Sequence, residues 1–248
     1  MRIEPVTPLA PRGIRHVVLT QRWSELTFLH WPVPPAEVAP LLPEGTRPDV
    51  LDGVTYVGLV PFRMVDVGLL RLPRVPWLGT FPETNVRLYS VDGAGRRGVV
   101  FRSLEAARLL PVLTARATLR LPYRWARMRI ERAGDRVRYT TRRHRVEGAA
   151  HAATVEVRVG PPVAEPGPLE HFLTARWGLH TSVAGRTLYL PNAHPQWSLH
   201  HAEVLHLDEN LIAAAGLPNV TGAPSSVLYS PGVPVRFGPP VTVASGAR

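Results

Sequence analysis

Hydrophobic and polar residues alternate along most of the chain in short segments separated by Gly, Pro and Asp. Alternation with a period of two predicts β-strands, and the breaks predict turns. Three hairpins follow, with turns at 92–95, 133–135 and 184–185. The segment 151–160 should pair back onto the second hairpin. Further strands are predicted for 53–62, 197–207 and 233–243.

Helical spacing is confined to four short segments: 35–42, 104–110, 168–177 and 209–215. Ser103 and Asp208 are the expected N-caps of the second and fourth helices. Many strands, hairpin connections and few helices favour a β-rich α+β fold, in which a barrel or sandwich of antiparallel strands carries short peripheral helices. No repeat or convincing linker divides the chain, so we expect a single domain over 1–248.

Two residue types are missing from the chain. It contains no cysteine, which excludes disulfides, thiolate nucleophiles and cysteine-ligated metals. It also contains no lysine, since all 29 residues counted as Lys+Arg are arginine. A side-chain Schiff base, pyridoxal phosphate attachment and a P-loop lysine are therefore excluded. Only the α-amine of Met1 could form an imine.

The formal net charge of +10 raises the question of a nucleic-acid or membrane partner. The arginines are scattered, however, as a compositional bias would leave them. The densest group alternates with Val137 and Tyr139, which is typical of the solvent-facing side of a strand; it comprises Arg136, Arg138, Arg142, Arg143 and Arg145. No apolar run is long enough for a transmembrane helix, and the N-terminus lacks the apolar stretch of a signal peptide. We expect a soluble, cytoplasmic protein without a membrane partner.

Two motifs resemble known sites without meeting their requirements. The segment 93–98 matches GxGxxG, but a strand pattern follows it instead of a helix, so a hairpin turn is predicted. A second group combines residue types that bind metals: His194, His200, His201, Glu203 and His206. Strand alternation distributes these side chains over two faces, and no HExxH motif occurs. We therefore predict neither a metal nor a cofactor.

The strand FPETNVRLY, residues 81–89, carries the most informative pattern. With a period of two, Glu83, Asn85 and Arg87 share a face with Phe81 and Tyr89. Inside a small barrel, this face would bring a carboxylate, an amide and a guanidinium together. The arginine could then bind a carboxylate ligand and the glutamate could transfer protons. The structural alternative is a buried Glu83–Arg87 ion pair that only stabilises the strand.

Several segments in the same order resemble an uncharacterised bacterial family of the YqjF type: 24–45, 52–64, 81–89, 121–128, 172–177, 195–207 and 228–238. That family is similar to the acetoacetate decarboxylase-like superfamily, whose fold is a β-barrel or cone-shaped sheet around an internal pocket. The resemblance implies this fold here. It also implies that FPETNVR corresponds to the strand with the pocket glutamate of the decarboxylases, which gives that role to Glu83.

The same resemblance shows a departure from the decarboxylases, which carry a proline–lysine–lysine step with the Schiff-base lysine first. LPYRW retains Pro122, but Tyr123 stands at the position of the nucleophile and Arg124 at that of its cationic neighbour. A tyrosine cannot form an imine. The resemblance therefore implies the fold and the pocket without the decarboxylation mechanism.

These observations predict a protein that holds a small carboxylate or carbonyl compound, and leave open whether it is an enzyme. In the enzyme hypothesis, Glu83 acts as acid or base, and Tyr123 donates a hydrogen bond to a developing oxyanion. Asn85, Arg87 and Arg124 would bind the substrate. The alternatives are a non-catalytic ligand-binding or scaffold protein and, with less support, an arginine-driven nucleic-acid binder. The sequence is compatible with a homo-oligomer.

Overall fold

The computed structural model describes residues 2–69, 79–108, 120–144 and 150–244. The strands are β1 (Leu19–Val33), β2 (Thr46–Pro48), β3 (Thr55–Leu69), β4 (Phe81–Asp92), β5 (Arg97–Ala106), β6 (Tyr123–Ala133), β7 (Arg136–Arg143), β8 (Ala152–Pro162), β9 (Gly178–Val183), β10 (Arg186–Ala193), β11 (His200–Glu209), β12 (Ser226–Phe237) and β13 (Val241–Thr242). The helices are α1 (Pro35–Val38), which continues into a 3-10 helix (Ala39–Leu41), α2 (Pro168–Thr174) and α3 (Leu211–Ala214).

The strands form one sheet that closes on itself as a nine-stranded barrel. Its order is β5–β6–β7–β8–β11–β12–β1–β3–β4, and β4 pairs again with β5. The β9–β10 hairpin makes a second connection across this barrel: Leu179 pairs with Val99 of β5, and Asn192 pairs with Phe237 of β12. The predicted β-rich barrel with short helices is confirmed.

The core consists of two clusters that meet at β4. One cluster contains Phe81 and Tyr89 together with side chains of α2, β9 and β10. The other contains Val86 and Leu88 together with side chains of β7, β8 and α3. Since successive side chains of a strand point to opposite faces, β4 is buried on both sides. Its polar residues therefore face the protein interior and not solvent.

All three hairpins form where the alternation predicts them. The β4–β5 turn closes with a 2.9 Å hydrogen bond from the Gly95 amide to the Asp92 carbonyl, so the GxGxxG segment is a hairpin turn. β6 pairs with β7, β7 with β8, and β9 with β10. The arginine-rich β7 alternates as predicted: Arg136, Arg138 and Arg142 are exposed. Arg145 lies outside the described residues.

Two helix predictions are wrong at their boundaries. Ser103 does not cap a helix, because β5 continues to Ala106, and residues 109 and 110 lie outside the described part of the chain. Pairing with β4 on one side and β6 on the other outweighs the local helix preference. Asp208 belongs to β11. Helix α3 instead starts after Asn210, and the carboxylate of Glu209 accepts a 3.0 Å hydrogen bond from the Ile212 amide.

Candidate functional site

The polar face of β4 borders a cavity of about 150 Å³ in the cluster beneath β9, β10 and α2. Glu83, Asn85 and Arg87 line it from β4. Much of the remaining wall is aromatic, supplied by Trp23, Phe28, Phe62, Trp197 and Phe237. The cavity thus combines a few convergent polar groups with an apolar wall, which is the usual composition of a small-molecule site.

Glu83 and Tyr123 meet at this cavity, although 40 residues separate them in sequence. β4 pairs with β5, and Leu104 of β5 lies beside Tyr123 in a short parallel pairing with β6. The Tyr123 hydroxyl donates a 3.0 Å hydrogen bond to Oε2 of Glu83. Both residues line the cavity, and Glu83 is 3% exposed.

Glu83 is in an environment that favours its protonated form. Burial raises the pKa of Glu83 to about 8, the Tyr123 hydrogen bond lowers it, and the charge of Glu105 raises it. Glu105 belongs to β5 and is buried on the face of the sheet opposite Glu83, where it forms a 2.6 Å ion pair with Arg143. Burial, followed by the proximity of Glu83, also holds the pKa of Tyr123 well above its usual value. At neutral pH, both groups therefore carry a proton, and Glu83 can act as an acid.

Asn85 lies between Glu83 and Arg87 on the same face of β4. It is 5% exposed and lines the cavity. Its Oδ1 has no hydrogen-bond partner within residues 2–69, 79–108, 120–144 and 150–244. Because buried amide oxygens nearly always accept a hydrogen bond, this atom is suited to a donor group of a ligand.

Arg87 places a buried positive charge at the cavity. It is 8% exposed, donates to the Leu173 carbonyl at 2.8 Å and to the Tyr89 hydroxyl at 3.2 Å, and lies 5.4 Å from the Phe28 ring centre. Among the described residues, no carboxylate lies within ion-pair distance of its guanidinium. The ion pair with Glu83 that we considered as the structural alternative is not formed, since four residues span about 13 Å along a strand.

A second arginine at the cavity, Arg176, has a carboxylate partner. Its guanidinium pairs with the buried carboxylate of Asp49 and donates to the Phe172 carbonyl. Asp49 also forms a 2.5 Å ion pair with Arg97. Arg176 therefore contributes to the structure beneath the cavity, whereas the charge of Arg87 remains available to an anion.

Arg124 does not belong to the cavity. It follows Tyr123 in β6, so its side chain points to the opposite face of the strand, and it is exposed. The Pro–Tyr–Arg step thus brings only its tyrosine into the cavity. Of the predicted site residues, the structure brings Glu83, Asn85, Arg87 and Tyr123 together and leaves Arg124 outside.

The cavity is also lined by polar residues that no sequence pattern assigned to the site, among them Arg176, Asn192 and His194. Arg176 follows α2, Asn192 belongs to β10 and His194 follows that strand. Asn192 and His194 reach the cavity because the β9–β10 hairpin crosses the barrel. No local motif marks them, although His194 is one of the histidines considered for a metal site.

A buried hydrogen-bond chain elsewhere has the residue types of a hydrolase triad. The Ser90 hydroxyl lies 2.8 Å from Nδ1 of His180, whose Nε2 lies 3.4 Å from the Asp92 carboxylate. All three side chains are at most 1% exposed, and none lines the cavity. We interpret this series of hydrogen bonds as structural, because it attaches β9 to the β4–β5 turn and offers no access for a substrate.

Within the described residues, no helix has the length and apolar character needed to cross a membrane. Two solved structures share the fold over nearly the whole chain. The enduracididine biosynthesis enzyme MppR, complexed with pyruvate, is 12% identical, with a TM-score of 0.64 over 96% of this chain and 94% of MppR. Acetoacetate decarboxylase from Legionella pneumophila is 16% identical, with a TM-score of 0.64 over 96% and 92%. The fold is thus acetoacetate decarboxylase-like.

Sequence similarity identifies the family more closely. The uncharacterized protein YqjF of Bacillus subtilis is 33% identical over 186 residues, which cover 75% of this chain and 76% of YqjF. The model of the DUF2071 family, described as an uncharacterized conserved protein, matches residues 20–234. The chain therefore belongs to the DUF2071 family, as the resemblance to proteins of the YqjF type implies.

Proposed function

We propose that the protein binds a small carboxylate that also carries a carbonyl group and acts on it by proton transfer. The observation that supports this proposal most directly is that two side chains on one cavity wall, Arg87 and Glu83, each have an unusual charge state. Arg87 is a buried cation without a carboxylate partner among the described residues, and Glu83 is a buried acid that keeps its proton.

Arg87 would hold the carboxylate of the ligand. A buried charge without a counter-ion is costly, and a ligand carboxylate would compensate it through charge-assisted hydrogen bonds. Its Nη1 has no hydrogen-bond partner among the described residues, while Nε and Nη2 are fixed by Tyr89 and the Leu173 carbonyl. The guanidinium is therefore already oriented before a ligand binds.

The volume of the cavity limits the size of the ligand. A cavity of about 150 Å³ holds a compound of roughly six non-hydrogen atoms, the size of benzene. Pyruvate, which is bound in the structure of MppR, also has this size. This comparison supports small oxo or hydroxy carboxylates over sugars, nucleotides or long acyl chains.

Glu83 and Tyr123 would perform the proton transfer. Glu83 gives its proton to the carbonyl oxygen of the ligand. The Tyr123 hydroxyl stabilises the negative charge that develops on the Glu83 carboxylate or on that carbonyl oxygen. The chain has no lysine to form an imine with the substrate. Enolisation, hydration and dehydration need no such amine, so these are the reactions that we propose.

A non-catalytic binding protein is the second candidate. It is favoured by Tyr123 at the position where the resemblance places the lysine nucleophile, and by the aromatic residues that fill much of the cavity wall. Both candidates require the same ligand chemistry. They differ only in whether the bound compound exchanges or transfers protons.

Binding can be tested by thermal unfolding with a panel of pyruvate, lactate, acetoacetate and the uncharged pyruvamide. A ligand at 100 times its dissociation constant stabilises a protein by about 2.7 kcal/mol, or roughly 5 to 10 °C for a chain of this length. We expect a shift with at least one carboxylate and none with pyruvamide. Arg87→Gln should abolish the shift, whereas Arg124→Gln, outside the cavity, should retain it. Equal shifts in both variants, or none with any carboxylate, would refute the proposal.

A further inference from the structure

His194 lines the cavity and has no role in the function proposed above. It follows β10 directly and is 7% exposed. Its imidazole ring packs among three indoles, with centroid distances of 4.4 Å to Trp177, 4.9 Å to Trp197 and 6.3 Å to Trp23. The ring is therefore held in one orientation by aromatic contacts.

The hydrogen bond of His194 fixes its tautomer. Nδ1 lies 2.7 Å from the Pro195 carbonyl oxygen, which can only accept, so Nδ1 carries the proton. Nε2 is then the unprotonated nitrogen and can accept a proton. Burial lowers the pKa of His194 to about 4, the Pro195 hydrogen bond raises it, and the charge of Arg87 lowers it. The imidazole is consequently neutral near pH 7.

Aromatic contacts connect His194 to Arg87, the residue that would hold the carboxylate of the ligand. The Arg87 guanidinium lies 5.4 Å from the Phe28 ring centre, and Phe28 packs edge-on against Trp197 at 5.2 Å. Trp197 in turn contacts His194. Glu83 lines the same cavity from its position on β4, on the face shared with Arg87. One cavity thus contains a neutral base, a protonated acid and a cation.

We propose that His194 is the catalytic base of the site and that the substrate is a small 2-oxo carboxylate with a hydrogen on the carbon next to its carbonyl. This inference rests on the proposed function. Nε2 removes the proton, the C–H electron pair forms the C=C bond of an enol, and the carbonyl oxygen takes the proton of Glu83. Reversal returns a proton to carbon and restores Glu83, so the net reaction is exchange of that hydrogen with solvent.

The test is deuterium incorporation into the methyl group of pyruvate in D₂O, followed by proton NMR. We expect the wild type to accelerate exchange. His194→Asn keeps a donor for the Pro195 carbonyl but removes Nε2, and it should lower the exchange rate at least about 100-fold, as expected for loss of a general base. His201→Asn, on the exposed face of β11, is the matched control and should exchange like the wild type.

The pH dependence separates a catalytic from a structural role. Exchange requires neutral His194 and protonated Glu83, so its rate should fall below about pH 4 and above about pH 8. The charged or titratable groups that bear on these two residues are Arg87 at His194, and Tyr123 and Glu105 at Glu83. Glu83→Gln should remove the alkaline limit together with most of the activity. If His194→Asn unfolds, the pH profile of the wild type still tests the assignment.

Binding and exchange are measured separately, so the two proposals can fail separately. Pyruvate binding without accelerated exchange, or unchanged exchange in His194→Asn, would overturn the role of His194 and leave the binding proposal intact. If no carboxylate of the panel binds, the proposed function fails and the inference fails with it.

Discussion

Replacement of Glu83 by Gln should make the protein more stable at alkaline pH. Gln has the shape of a protonated Glu, and its side-chain oxygen can still accept the hydrogen bond of Tyr123. The pKa of Glu83 is raised in the folded protein, so the unfolded chain loses this proton at lower pH than the folded chain does. Folding stability from this group is therefore complete at acidic pH and declines as the pH rises from about 4.5 to about 8.

The size of the effect follows from the two pKa values of Glu83. Each tenfold difference in acidity corresponds to about 1.4 kcal/mol, so ionisation of Glu83 costs the folded state about 5 kcal/mol between its usual pKa of 4.5 and about 8. Between pH 5 and pH 9, the wild type should lose about 4 kcal/mol through this residue. Glu83→Gln should not show this loss.

The measurement is urea unfolding of both proteins from pH 5 to pH 9. We expect stabilities within about 1 kcal/mol at pH 5 and a difference of about 4 kcal/mol in favour of Glu83→Gln at pH 9. Glu203→Gln removes an exposed carboxylate and serves as the control, with the pH dependence of the wild type. Parallel curves for the wild type and Glu83→Gln would show that Glu83 is ionised in the folded protein, contrary to our argument.

Three further predictions concern the surroundings of the site. Arg143→Met leaves the buried Glu105 without its ion-pair partner and should cost about 3 to 5 kcal/mol in urea unfolding; an effect below 1 kcal/mol would contradict this. Gly232→Ala should cost about 2 kcal/mol or more, because Gly232 has a φ of +122° and a Cβ there would collide with the Trp23 carbonyl; wild-type stability would contradict it. Tyr123→Lys should be trapped by borohydride and pyruvate at position 123, since it supplies the only side-chain amine; labelling confined to Met1 would place position 123 outside the reach of the ligand.

The parts of the fold that depend on local pattern could be predicted from the sequence. Alternation located the hairpins, and turn residues such as Gly95 and Gly134 located their ends. The helix expected after Ser103 failed because a strand paired on both sides gains more hydrogen bonds than a short helix does. Local preference alone does not contain that information.

The site shows the same division between local and long-range information. The period-two pattern placed Glu83, Asn85 and Arg87 on one face, and the structure keeps them there. Their contact with Tyr123 depends on the parallel pairing of β5 with β6, and the position of His194 depends on the β9–β10 hairpin that crosses the barrel. Pairings of this kind join distant segments and leave no periodic trace in the sequence.

The residue at position 123 lies close enough to Glu83 to affect its charge and with it the chemistry of the cavity. A cation 3.0 Å from the carboxylate would stabilise its ionised form by about 5 kcal/mol at an effective dielectric constant of 20. That is about as much as the raised pKa of Glu83 costs the ionised form. A protonated lysine would therefore keep Glu83 ionised, whereas the hydrogen bond from the neutral Tyr123 offsets only part of the effect of burial. The same fold then presents a carboxylic acid and an arginine on one cavity wall, which suits protonation of a bound carbonyl and not imine formation.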